Sequence, residues 1–252
     1  MIRARLVRPL VIALMGTAVP SALAAQSPKR LSGADVSPGV WGVLAVPEAP
    51  GPHPALVVLP GAGGWHPWYA QVARALADSG FVTLALDYYA ETGGAAIRSD
   101  EKLRKWPAWQ ATIRNAVQYL TALPSVAGRP VGLVGYSRGA FLAVSVAAST
   151  SGVRAVVDYF GGGGGGTDSL EQEARDFPAL LILHGDADRV VPVRFAESLR
   201  TAVVAQGGEV EMHLYPGLGH AFNMPGMPTY SDTAAVDAFR RTVRFLRIHL
   251  AQ

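Results

Sequence analysis

The pentapeptide Gly-Tyr-Ser-Arg-Gly at residues 135–139 places Ser137 at the junction of two predicted elements. The apolar run at residues 131–134 predicts a buried strand before it, and the run at residues 140–148 predicts a helix after it. A Gly-x-Ser-x-Gly sequence in this position can hold the serine on a sharp turn with its hydroxyl exposed, because the glycines leave room where helix and strand cross. The alternative is an ordinary strand-to-helix turn, so the partners of Ser137 decide its chemistry.

A serine hydroxyl becomes a nucleophile when a base accepts its proton and a third group orients that base. For this motif the expected chain order is the serine, then an acid after a later strand, then a histidine after the last strand. Asp188 follows the apolar run at residues 179–183, and His220 follows the last predicted strand at residues 210–215. The sequence therefore predicts that Ser137, His220 and Asp188 act as nucleophile, base and orienting acid.

Other residues compete for two of these roles. Asp186 lies closer to the strand end, but an aspartate beside Gly185 is typical of a turn in which the carboxylate binds its own backbone. We therefore favour Asp188 as the orienting acid. His184 ends its strand and is expected to support the Asp188 loop, whereas His66 begins a predicted helix and could line a pocket.

Acyl transfer also needs donors for the oxyanion that develops on the substrate, usually backbone N–H groups. The amide of Arg138, directly after the nucleophile, is expected to supply one. The second should come from the loop after the first buried strand, which is the glycine-rich run at residues 60–64. Ala62 is the favoured second donor and Gly61 the next, with a simple tight turn as the alternative.

The surrounding elements alternate between short apolar strands and segments of helical period. This alternation predicts an α/β fold with a mostly parallel central sheet and helices on both faces, in one domain at residues 40–252. Pro107 can open one helix. Ser231 can cap the last helix, with an inward face formed by Val236, Phe239, Val243, Leu246 and Leu250.

Five motifs in this order resemble the dienelactone hydrolase family of α/β hydrolases. They are Leu-Pro-Gly-Ala-Gly-Gly at 59–64, Asp-Tyr-Tyr at 87–89, the serine pentapeptide, His-Gly-Asp-Ala-Asp-Arg-Val-Val-Pro at 184–192 and Tyr-Pro-Gly-Leu-Gly-His-Ala-Phe at 215–222. The resemblance covers roughly residues 40–250 and implies the α/β-hydrolase fold, with Ser137, Asp188 and His220 in the triad positions. Dienelactone hydrolase itself carries cysteine at the nucleophile position, and serine members of the wider family are mostly esterases.

Further side chains could line the substrate pocket. Tyr88 and Tyr89 follow a strand end, where they line the site or pack at its rim. Trp106 could form an apolar wall for an acyl or aryl group, or belong to a half-buried core. The Arg138 side chain could bind a substrate carboxylate or a structural one. No histidine and acid cluster has the spacing of metal ligands, so no metal is expected. The predicted triad chemistry requires no organic cofactor.

The first residues predict export. Three arginines precede an apolar run at residues 9–15, and Ala22-Leu-Ala24 offers small residues for cleavage, so residues 1–24 resemble a secretory signal peptide. Residues 25–39, rich in Pro, Ser and Gly, predict a flexible N-terminal segment. We expect a periplasmic or secreted protein with no membrane attachment after cleavage.

The charge and the cysteine content limit which binding partners and which chemistry the chain can have. The chain has 22 Lys and Arg against 19 Asp and Glu, and removal of the signal segment with its three arginines leaves 19 of each. No basic run suggests a nucleic-acid partner. The absence of cysteine excludes disulfides and a thiol nucleophile.

Six successive glycines at residues 161–166 predict a loop at the ligand-binding edge of the sheet, either disordered or a mobile rim of the site.

The predicted function is hydrolysis of a carboxylic ester or lactone through an acyl-enzyme. A peptidase of the prolyl-oligopeptidase type is one alternative, although this chain lacks the large additional domain of those enzymes. A binding protein on the same fold, with an unused triad, is the other. The oligomeric state is not indicated.

Overall fold

The computed structural model describes residues 27–31, 37–95, 99–163 and 177–251, with the backbone alone at residues 99–103. The predicted signal peptide at residues 1–24 and the second half of the glycine run lie outside the described residues. The strands are β1 (Lys29–Arg30), β2 (Trp41–Ala45), β3 (Ala55–Leu59), β4 (Val82–Leu86), β5 (Val131–Tyr136), β6 (Val153–Tyr159), β7 (Ala179–Gly185) and β8 (Val210–Tyr215). The helices are α1 (Pro67–Asp78), α2 (Ser99–Thr121), α3 (Arg138–Ser149), α4 (Arg194–Ala205) and α5 (Asp232–His249).

The eight strands form one sheet in the order β1-β2-β4-β3-β5-β6-β7-β8. The pairs β1–β2 and β2–β4 are antiparallel, and every pair from β4 to β8 is parallel. The strands β3 and β5 are buried along their whole length, as expected of parallel strands covered on both faces. The predicted α/β fold with a mostly parallel sheet is confirmed.

Two apolar layers hold helices against the sheet. Side chains of α2, α3 and α4, including Ile113, Leu142 and Leu199, belong to the layer on one face. Side chains of α1 and α5, including Leu76 and Phe245, belong to the layer on the other face. Because helices cover both faces, the strand ends at the carboxyl edge of the sheet are the natural place for a site.

Two sequence predictions differ from the observed elements. The prediction that Pro107 opens a helix is wrong, because α2 begins at Ser99 and contains Pro107. The preceding turns are mostly polar in sequence, so apolar periodicity could not reveal them. The N-terminal segment is not wholly irregular either, since Lys29–Arg30 pairs with β2 and Leu31 is buried.

The last helix begins as predicted, and Leu246 and Leu250 are buried as predicted. Ser231 accepts the amide hydrogen of Ala234 in the expected N-cap. Val236, Phe239 and Val243 are only partly buried. The buried face consists of Ala234, Ala238, Thr242, Phe245 and Leu246. Thr242 lies inward because its hydroxyl is 2.7 Å from the buried hydroxyl of Tyr159, which needs a hydrogen-bond partner.

Candidate active site

Ser137 lies on the sharp turn between β5 and α3. Its φ of 52° and ψ of −117° are unusual for a residue with a side chain and indicate a strained turn. A Cβ on Gly135 would collide with the backbone of α3, and one on Gly139 with the backbone after β3. The amide of Ser137 donates to the carbonyl of Tyr159 at 2.9 Å. The flanking glycines therefore permit the close crossing, and β6 anchors the turn.

His220 links Ser137 to Asp188. Its Nε2 lies 3.0 Å from Ser137 Oγ, and its Nδ1 lies 2.7 Å from Asp188 Oδ2. The ring packs edge-on against Phe160, with centroids 4.9 Å apart, and the hydroxyl of Thr229 donates to the His220 carbonyl. Three loops from distant parts of the chain thus bring the three sequence-predicted residues into one hydrogen-bonded chain.

Asp188 is buried, yet it is held in its charged form. Burial alone would raise the pKa of this carboxyl, but the hydrogen bond to His220 and the amides of Val191 and Val190 together hold the pKa below its ordinary value. Both amides bind Oδ1, at 2.9 and 2.8 Å. Oδ2 therefore stays available to the imidazole.

The competing residues have other partners. Asp186 accepts the amide hydrogen of Gly217 at 2.6 Å and is exposed. His184 is buried, and burial lowers the pKa of its imidazole. Its Nε2 lies 2.9 Å from the Val191 carbonyl and is the donor, because a carbonyl oxygen can only accept. That bond supports the Asp188 loop, as the sequence predicts. His66 caps α1, where its Nδ1 accepts the amide hydrogen of Trp68.

The loop at residues 60–64 lies directly beside Ser137. A Cβ built on Gly61 would be 3.5 Å from the Cβ of Ser137. The amide of Gly61 already donates to the hydroxyl of Tyr69 at 3.0 Å. Within the described part of the chain, the amides of Ala62 and Arg138 have no acceptor. Of the two sequence candidates in this loop, Ala62 therefore has the available N–H.

Tyr88 and Tyr89 lie beneath this loop as buried braces. The hydroxyl of Tyr88 is 2.7 Å from the Pro60 carbonyl, that of Tyr89 is 3.0 Å from the Gly61 carbonyl, and the two hydroxyls are 2.6 Å apart. Burial raises the pKa of both phenols, so they are neutral. The two hydroxyl protons are shared among three hydrogen-bond contacts, because each tyrosine hydroxyl carries one proton. The two tyrosines therefore act on the loop as one unit.

Trp106 and Arg138 complete the set of sequence-predicted residues. Trp106 is half-buried and packs against Trp109, with ring centroids 6.2 Å apart. The guanidinium of Arg138 lies 5.6 Å from the Trp109 ring centroid, and Nη1 is 3.4 Å from the Tyr89 hydroxyl. No carboxylate pairs with Arg138 among the described residues. Its side chain is therefore held against an aromatic wall.

Sequence reasoning missed two buried groups at this edge, Tyr69 and Asp158. Tyr69 is in α1, and burial raises the pKa of its phenol to about 12. Asp158 is the penultimate residue of β6, in a run of apolar residues. The only signal for Asp158 was its charge inside that run, since a carboxyl in a buried strand needs a partner.

The described residues contain neither a candidate metal centre nor a candidate membrane-spanning helix. No group of three or more histidines and acids in this part of the chain could hold a metal ion. No helix within it has the length and apolar character needed to cross a bilayer.

The family model described as the dienelactone hydrolase family matches residues 40–250. The chain belongs to the dienelactone hydrolase family. It is therefore a carboxylic ester hydrolase. A similar protein is the carboxymethylenebutenolidase of Pseudomonas putida, which is 29% identical over 222 residues, or 82% of this chain and 90% of that one.

Solved structures share the fold of this dienelactone hydrolase family member. A dienelactone hydrolase-like promiscuous phosphotriesterase from metagenomic libraries superposes with a TM-score of 0.71 at 23% identity, over 84% of this chain and 93% of that one. The acylaminoacyl peptidase of Pyrococcus horikoshii gives 0.68 at 15% identity, over 89% of this chain but 42% of the peptidase chain.

Proposed function

We propose that this hydrolase cleaves its ester or lactone through Ser137, His220 and Asp188, with a covalent acyl-enzyme. The observation that carries the proposal is the unbroken hydrogen-bonded chain from Ser137 Oγ through both nitrogens of His220 to Asp188 Oδ2. Such a chain is what a serine needs to become nucleophilic near neutral pH.

In the first half-reaction, Ser137 Oγ attacks the carbonyl carbon while its proton passes to Nε2 of His220. Asp188 holds Nδ1–H and stabilises the imidazolium that forms. The tetrahedral intermediate collapses when the leaving alcohol, or the ring oxygen of a lactone, takes the proton from Nε2. Water then attacks the acyl-serine by the same route in reverse, and releases the acid and the free serine.

We assign the stabilisation of the oxyanion in both tetrahedral intermediates to the backbone amides of Arg138 and Ala62. Neither amide has an acceptor among the described residues, and the loop that carries Ala62 adjoins Ser137. Each amide of an oxyanion hole contributes about 10²–10³-fold to kcat in serine hydrolases.

The substrate class follows from the family. A relative named for the hydrolysis of a butenolide lactone supports small esters or lactones as substrates. The peptidase alternative has weaker support, because the acylaminoacyl peptidase is only 15% identical to this chain and shares the fold alone.

One experiment tests the proposal and separates it from both alternatives. The purified protein is treated with a fluorophosphonate, and hydrolysis is measured on a short aryl ester, a butenolide and a peptide amide. We expect stoichiometric labelling of Ser137 and turnover of the ester or lactone, both abolished in Ser137→Ala. Labelling with turnover of the amide alone would favour the peptidase, and folded protein that fails to label would favour a binding protein.

We also propose that the chain is exported and loses residues 1–24. The arginines at its start and the apolar run after them support this. Mass spectrometry of the protein from a bacterial host, after separation of periplasm and cytoplasm, should find a periplasmic form that begins near residue 25. A full-length cytoplasmic form alone would contradict export.

A further inference from the structure

Asp158 carries a buried carboxyl that the proposed reaction does not use. It lies at the end of β6, and its Oδ1 accepts the amide hydrogen of Gly161 at 2.7 Å. The amide of Gly162 also hydrogen-bonds the carboxyl. Its Oδ2 is buried without a partner among the described residues. A native structure seldom leaves a buried carboxylate oxygen unpaired without a functional reason.

These hydrogen bonds close a tight turn around Phe160. Phe160 has a φ of 44°, in the left-handed region that a residue with a side chain seldom adopts. A Cβ on Gly161 would lie 2.8 Å from Asp158 Oδ1, so the glycine lets the turn close onto the carboxyl. The Asp158 carboxylate thus stabilises a strained backbone that neighbouring residues must hold in place.

The same turn contacts both reacting groups of the proposed triad. The ring of Phe160 packs edge-on against the imidazole of His220, with centroids 4.9 Å apart and planes at 64°. The carbonyl of Tyr159 accepts the amide hydrogen of Ser137. Any change in the turn is therefore transmitted to the ring that must accept the proton of Ser137.

The surroundings of Asp158 offer the carboxylate little support beyond these amides. Its partners in register are Gly135 of β5 and Ile182 of β7, and Ala140 of α3 lies across Gly161. None of these residues is ionisable. Burial, opposed only by the two amides, raises the pKa of Asp158 to about 7. The carboxyl therefore changes charge near neutral pH.

We propose that Asp158 is a positioning residue for His220: its carboxylate holds the Phe160 turn against the imidazole, and protonation loosens that turn. Charge-assisted hydrogen bonds are stronger than neutral ones, so the ionised form binds the two amides more firmly. On protonation, the proton goes to the unpaired Oδ2, and Oδ1 remains as the weaker acceptor. This inference rests on the proposed function of His220.

The test compares kcat/KM for a short aryl ester in the native enzyme and in Asp158→Asn. The amide keeps an oxygen for Gly161 but cannot ionise, so the variant imitates the protonated form. We expect the two proteins to be nearly equal at about pH 5.5 and the native enzyme to gain roughly tenfold by about pH 9, as for a slightly misplaced base. Asp78→Asn, which removes an exposed helical carboxylate, should follow the native profile. A ratio that does not change with pH would overturn the proposal.

A second comparison tests the route through Phe160. In a Phe160→Leu background, Asp158→Asn should change kcat/KM much less than in the native background, because the ring that transmits the effect is absent. An undiminished effect would overturn the route. If Asp158→Asn does not fold, the pH dependence of kcat/KM in the native enzyme serves as the test. Two ionisations on the acidic side of that profile support the proposal, and a single ionisation overturns it.

Labelling of Ser137 by the fluorophosphonate separates the two ideas. A protein that labels and turns over ester but shows a constant ratio retains the proposed function and loses the role of Asp158. A folded protein that does not label overturns both.

Discussion

The two aspartates of the loop after β7 differ in what they bind. Asp188 is buried and binds His220 together with two amides, whereas Asp186 is exposed and binds a single glycine amide. Only Asp188 can fix the tautomer of the imidazole and stabilise its positive charge.

Replacement of these aspartates should therefore have unequal effects. Asp188→Asn should lower kcat by about 10³-fold or more, because the amide cannot stabilise the imidazolium. Asp186→Asn is the matched control, and its kcat for the aryl ester should remain close to the native value. Similar losses in the two variants would show that the loop, rather than the Asp188 charge, is what matters.

The buried carboxyl of Asp158 predicts how stability depends on pH. Its pKa in the folded state, about 7, lies above the ordinary value of 3.8, so the folded protein binds this proton more tightly than the unfolded chain. Its contribution to stability is thus complete below the ordinary value and is lost as the pH rises through about 7. Between about pH 5 and about pH 8, Tm of the native protein should fall by several degrees relative to Tm of Asp158→Asn.

Scanning calorimetry at a series of pH values measures that difference. Asp78→Asn, again as the control, should give a Tm curve parallel to the native one. A native-minus-variant Tm difference that stays level from acid to neutral pH would mean that Asp158 does not titrate in this range. A loss of stability at the same pH at which activity rises would indicate that the Asp158 carboxyl is retained for function rather than for stability.

At the scale of elements, three tyrosines fix the loop after β3. Tyr69 of α1 takes the amide of Gly61, and the pair after β4 reaches the carbonyls of Pro60 and Gly61. With the Gly61 amide engaged, the next amide along the loop is that of Ala62, the proposed oxyanion donor.

Removal of one hydroxyl should loosen the oxyanion donor without changing the substrate pocket. Tyr88→Phe and Tyr69→Phe should each lower kcat roughly tenfold and leave KM nearly unchanged, a smaller loss than the about 10²–10³-fold for removing a donor itself. Steady-state kinetics on the aryl ester measures both parameters. Tyr119→Phe, at a half-buried tyrosine of α2, is the control. A rise in KM with unchanged kcat would instead place these hydroxyls in substrate binding.

The crossing of β5 and α3 depends on a glycine. A Cβ on Gly139 would meet the carbonyls of Leu59 and Pro60, which belong to the buried backbone and cannot move aside. Gly139→Ala should therefore cost about 2 kcal/mol or more in the free energy of unfolding. Gly63→Ala is the control, since a Cβ there meets nothing within 4 Å. Urea unfolding compares the two variants, and equal midpoints would contradict the close crossing.

At the scale of the molecule, β1 joins the N-terminal segment to the sheet. A chain that begins at residue 25 keeps the pairing of Lys29–Arg30 with β2 and the burial of Leu31. It should have the Tm of the full chain. A chain that begins at residue 37 lacks both and should melt a few degrees lower, since a buried leucine contributes about 1.5–3 kcal/mol. Equal Tm values for the two truncated proteins would show that β1 adds no stability.

The parts of this molecule that the sequence predicted are those that follow from local order. Ser137, Asp188 and His220 each follow a strand, and the carboxyl ends of parallel strands meet at one edge, so their approach could be inferred without coordinates. The strands β3 to β7 are apolar runs with glycine or proline close by, and β8 is the only parallel strand at an edge of the sheet that the described residues form.

What the sequence could not show depends on tertiary contacts. Tyr69 reads as one more apolar residue of α1, and its hydroxyl has a role only because the loop after β3 folds back onto it. Thr242 turns inward, where its hydroxyl pairs with that of Tyr159, so the buried face of α5 includes a polar residue that hydrophobicity does not indicate. The helix before Pro107 lacks an apolar stripe, and periodicity is the main signal by which a sequence predicts a helix.

The order of the strands also has a consequence for synthesis. The imidazole comes from the loop after β8, and α5 must still pack behind that loop before it is held. A growing chain that does not yet include residue 220 therefore holds the serine and the aspartate of the proposed triad but lacks the base for Ser137. The proposed acyl transfer begins only once the loop after β8 has folded.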